Sequence, residues 1–122
     1  MRKLFFLAVL TSILIATSCK KNKPFRDFEG SWSGNYIGDD TGIWTANIDE
    51  KGSINGSAMS DSFQGFSFDL TGSISEEGEF SAEAEVLKGS IEFSGSINKS
   101  TASGVWTNDE AGINGSWSGE KD

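Results

Sequence analysis

The chain has 122 residues, 18 carboxylates against 10 basic side chains, no histidine and a single cysteine. Without histidine, Ser-His and Cys-His nucleophilic catalysis is excluded, along with most zinc and copper sites. A net charge of −8 repels phosphate backbones, so nucleic acid is not an expected partner, and a lone cysteine gives no internal disulfide. In chain order, Met1-Arg2-Lys3 is a basic start, residues 4–15 are an apolar run, and Ala16-Thr17-Ser18-Cys19 is a small-residue exit. That succession predicts a secretory signal peptide over residues 1–18. A dozen helical residues reach about 18 Å, too short for roughly 30 Å of hydrocarbon.

Ending on Cys19, the signal resembles the lipobox of bacterial lipoproteins. The resemblance implies cleavage before Cys19, lipid attachment there with palmitate among the acyl chains, and a protein held at the cell envelope. Lys20 after the cysteine, where aspartate would retain the protein, implies transfer to the outer membrane on its periplasmic or its outer side. The partner is then the bilayer itself, through the acyl anchor. Residues 19–27, with Lys20, Lys21, Lys23, Pro24 and Arg26, read as a basic tether. It leans on anionic headgroups beside the anchor, at about 1 kcal/mol per charge, or serves as a solvated spacer. From Asp27 on, only Lys51, Lys88, Lys99 and Lys121 face all 18 carboxylates.

Residues 28–122 form one small domain without helical periodicity. Period-two alternation appears near residues 30–37, 42–49, 53–59, 66–75, 79–86, 90–97, 102–107 and 112–121. The connections are short, as in Glu50-Lys51-Gly52, Glu76-Glu77-Gly78 and Leu87-Lys88-Gly89. Several end on a glycine, as a turn with a left-handed last residue requires. Such links force an antiparallel meander, because a parallel crossover needs a dozen or more residues. Phe66, Phe68, Leu70 and Ile74 share one face, continued by Phe80, Ala82, Ala84 and Val86 and by Ile91, Phe93 and Ile97; serines and carboxylates take the other. Each strand is therefore half buried, and a one-residue slip would turn carboxylates inward.

Every tryptophan follows a glycine by two positions: Gly30 and Trp32, Gly42 and Trp44, Gly104 and Trp106, Gly115 and Trp117. Such a glycine leaves space for a large ring on a neighbouring strand to lie flat. The string Gly-Ser-Trp-Ser-Gly at 30–34 returns at 115–119, in the first and last segments. Pairing those two would close an all-β, up-and-down antiparallel barrel of about eight strands and remove its edges. The closed barrel is preferred over an open sandwich. Gly30-Ser31-Trp32 resembles the Gly-x-Trp opening of lipocalins and of the smaller avidin-like barrels, and the late arginine of lipocalins has no counterpart after Arg26. Trp32, Tyr36, Trp44, Trp106 and Trp117 then either fill the core or form one wall of a ligand cavity. A small apolar or ring-shaped ligand suits such a wall.

Asp39-Asp40, Glu76-Glu77 and Asp109-Glu110 sit at corners without the ligand spacing of a calcium loop, and read as solvated turn charges. No catalytic residue, cofactor or metal ligand is expected. The sequence thus points to a membrane-anchored, non-enzymatic barrel that binds a small ligand or acts as a scaffold. Small eight-stranded barrels that inhibit bacterial metalloproteases offer an alternative by resemblance, and a purely structural envelope protein a third reading.

Overall fold

A computed structural model describes residues 23–62 and 66–122. The signal segment and Cys19 lie outside the described residues. The alternating segments form β1 (Gly30–Gly38), β2 (Gly42–Ile48), β3 (Ser53–Ser60), β4 (Ser67–Ile74), β5 (Glu79–Glu85), β6 (Ser90–Ile97), β7 (Thr101–Asn108) and β8 (Ile113–Lys121). Each pairs antiparallel with the next, and β8 pairs with β1, closing the barrel. The eight expected segments are all strands, with no end shifted by more than one residue.

Pattern and turn chemistry act together. In β2 and β5 every second residue is buried without exception. Gly52, Gly78, Gly89 and Gly112 adopt positive φ, between 72° and 92°, at the ends of four hairpin links. The β6–β7 link has no glycine. There the Asn98 side chain accepts N–H bonds from Ser100 and Thr101, at 3.0 and 2.9 Å, and holds the turn from its side chain.

Followed from pair to pair around the cylinder, the register returns to β1 advanced by as many residues as there are strands. That stagger tilts the strands and leaves an interior that side chains can fill in layers. Large residues stand beside small ones on neighbouring strands: Trp44 is paired with Gly34 and Ala58, Leu70 with Gly56, and Phe80 with Gly95. Rings then close the centre. Phe80 and Trp117 have centroids 4.7 Å apart, Trp44 and Trp117 5.7 Å, and Tyr36 and Trp106 5.8 Å.

Three tryptophans share one arrangement. Trp44 is paired with Gly34, Trp106 with Gly115 and Trp117 with Gly104. A Cβ on those glycines would strike the carbonyls of Ser118, Ile37 and Ser94 respectively. The same carbonyls accept the indole N–H bonds, from Trp44 at 3.2 Å, Trp106 at 3.0 Å and Trp117 at 3.1 Å. Glycine thus lets a carbonyl of the strand beyond turn inward, and the ring lying over that glycine satisfies it. Ring burial and backbone hydrogen bonding are coupled at each site.

The two ends differ. At one, residues 23–29 turn beneath the barrel: the N–H groups of Phe28 and Glu29 donate to the Phe25 carbonyl, and Phe28 is buried. Trp32 donates from its indole to the Phe28 carbonyl at 2.8 Å, and Lys121 donates to the Asp27 carbonyl at 3.2 Å. That end is sealed. The other, where β1 meets β2, β3 meets β4, β5 meets β6 and β7 meets β8, is open as far as the described residues go. No helix among the described residues is long and apolar enough to cross a membrane.

Candidate functional site

The open end holds a cup of about 410 Å³ walled by Phe66, Phe68, Val86, Leu87, Ile91 and Ile113. Its volume lies in the range of small-molecule pockets, roughly 300–1,000 Å³. Alternation produces the wall. Phe68, Ile91 and Ile113 are the last inward-facing positions of their strands, and among the described residues no further layer covers their apolar surface. Val86 and Leu87 continue past the end of β5 into the turn. Leu87 is 96% exposed, and Phe66, its ring centroid 6.3 Å from that of Phe68, is 38% exposed.

Asp40, Ser60, Asn108 and the exposed Lys88 supply the polar part of the lining. The Ser60 hydroxyl donates to both oxygens of Asp40, at 3.1 and 2.9 Å, and the Tyr36 hydroxyl donates to one of them at 3.3 Å. Gly42, opposite Tyr36 in the register, makes this possible, since a Cβ there would lie 2.5 Å from the phenol oxygen. Burial, reinforced by the neighbouring Asp40 charge, raises Tyr36 from 10.0 to about 12. Tyr36 therefore stays a neutral donor across the physiological range.

Asn108 braces the rim. Its Nδ2 donates to the Lys88 carbonyl at 3.0 Å and its Oδ1 accepts the Ala111 N–H at 3.1 Å, tying the β5–β6 link to the β7–β8 link. Asp39 similarly accepts the Asn114 N–H at 3.0 Å, joining the β1–β2 corner to β8. The cup is set on a fastened frame, a condition for presenting a preformed surface.

The aromatic residues singled out in the sequence lie elsewhere. Trp32, Tyr36, Trp44, Trp106 and Trp117 are all buried, between 1% and 3% exposed, and all belong to the barrel core. Tyr36 alone reaches the cup, through Asp40. The reading as solvated turn charges holds for Asp39, which is exposed while accepting the Asn114 N–H, and is corrected for Asp40, which is half buried beside two hydroxyl donors. Proximity to Ser60, twenty positions away on another strand, carried no signal in sequence order. A signal did exist at Leu87, a large apolar residue in a polar turn. Among the described residues no group of three or more histidine, cysteine, aspartate or glutamate side chains could hold a metal ion.

No protein-family model matches the chain, and no curated protein matches it.

Proposed function

We propose that this protein is a lipid-anchored envelope lipoprotein, held through Cys19, whose barrel binds a small apolar or ring-shaped molecule without converting it. The observation that carries the reading is the cup: apolar walls that no described residue covers at the open end, above an interior already filled by its own rings. An uncovered apolar surface in a protein this polar is what a binding partner would bury. The anchor is consistent with the geometry. The chain from Cys19 to Lys23 reaches at most about 14 Å, and Lys23 belongs to the sealed end. A lipid on Cys19 therefore leaves the cup facing away from the bilayer that holds it.

Calorimetric titration of the purified protein with naphthalenemethanol tests the reading. Saturable binding is expected, weakened several-fold by Leu87→Ser, which removes apolar surface from the rim without touching the core. Absence of binding, or binding unaffected by that change, contradicts it.

A further inference from the structure

The polar floor of the cup restricts the head group its occupant can carry. Asp40 is the one carboxylate in the lining, and among the described residues its partners are two hydroxyls and no cation. A carboxylate only accepts hydrogen bonds and has room for about four donors. Hydroxyl donors orient its oxygens and leave its charge in place.

We propose that the cup takes a molecule with an apolar ring body and one ammonium head, the ammonium donating to Asp40. This rests on the cup being a binding site and adds the chemistry of its occupant. Apolar walls beside a half-buried carboxylate lower the local dielectric, so a cation placed there is less screened than at an open surface. A charge-assisted hydrogen bond is also stronger than one between neutral partners. The surroundings act in the same direction: from Asp27 on, the four lysines face all 18 carboxylates, a field that gathers cations. Lys88 contributes to the lining too, but it is exposed and its charge is solvated. An anionic head is repelled by Asp40, and a hydroxyl head is accepted with less gain.

Naphthylmethylamine, naphthalenemethanol and naphthoate share one ring body and differ in the head, so calorimetry of the three against the purified protein separates the terms. The amine is expected to bind about tenfold tighter than the alcohol, with naphthoate weakest, and added salt should shrink only the amine's advantage. Asp40→Asn should bring the amine to the level of the alcohol and leave the alcohol within about threefold. Equal affinity for amine and alcohol, or naphthoate binding best, overturns the assignment of the head group while leaving the cup as a binding site. Failure of all three to bind overturns the cup reading itself. The comparison on the unaltered protein stands even where the variant folds poorly, which its unfolding midpoint reveals.

Discussion

Tyr36 joins the filled interior to the open cup, and its ionisation connects the two. Its ring packs against Trp106 and Phe93, and its hydroxyl donates to Asp40. A phenolate there would be both buried and beside a carboxylate, hence the upward displacement to about 12. In the unfolded chain the phenol ionises near 10, so between pH 10 and 12 the unfolded state has lost a proton that the folded state retains. Stability from this group is complete below pH 10 and falls as pH rises through that window, by roughly 2–3 kcal/mol in all. Unfolding in urea across the window should show the decline, and Tyr36→Phe should flatten it. A decline of the same size in the phenylalanine variant would place its origin elsewhere. The tryptophans were legible as aromatic positions next to glycines, but the sequence left open whether they lined a cavity. What decided the surroundings of three of them was the coupling of the ring to a carbonyl two strands away, a relation between residues as distant as Trp44 and Ser118.

At the scale of strands and turns, the glycines divide into two kinds with different consequences. Gly104 lies in β7, where a Cβ would collide with the Ser94 carbonyl and stand 2.7 Å from the Gly95 Cα. Alanine there must push β7 from β6 and disturb one of the two hydrogen bonds Trp117 donates, to the Ser94 and Val105 carbonyls, an expected loss of about 3 kcal/mol or more. Gly112 has φ of 72° and nothing within 4 Å of an added Cβ, so alanine costs only the left-handed backbone strain, about 1 kcal/mol. Denaturation midpoints of the two variants should rank accordingly; equal losses would mean that close approach between strands is not what Gly104 provides. Strand positions were readable because each alternates cleanly and ends at a short link. The closure was readable because the first and last strands carry the same five residues. The stagger was not, since it accumulates through eight separate registers that no local stretch encodes.

For the molecule as a whole, the sealed and open ends give the barrel a direction. Phe25 and Phe28 close the end from which the N-terminal chain departs, and the turns at the other end carry the uncovered apolar surface. Tethering by Cys19 would hold the sealed end toward the membrane and present the cup to solvent. Cys19→Ser is expected to move the protein from the membrane fraction to the soluble fraction of cells; a variant that stays acylated and membrane-bound would contradict the anchor. The cup escaped the sequence because it is assembled from the ends of different strands. Phe68, Ile91 and Ile113 look like ordinary core positions until the closed cylinder shows them in its end layer, with no further layer above them among the described residues.

The barrel interior is full of its own side chains, and the proposed binding occurs at the open end. Mapping amide and indole N–H chemical shifts while adding naphthylmethylamine tests it most directly. Saturable shifts are expected at Phe68, Val86, Leu87, Ile91 and Ile113, with the indole signals of Trp32, Trp44 and Trp117 unmoved. Shifts at those indoles with the rim unchanged, or no shift anywhere at saturating probe, would contradict it.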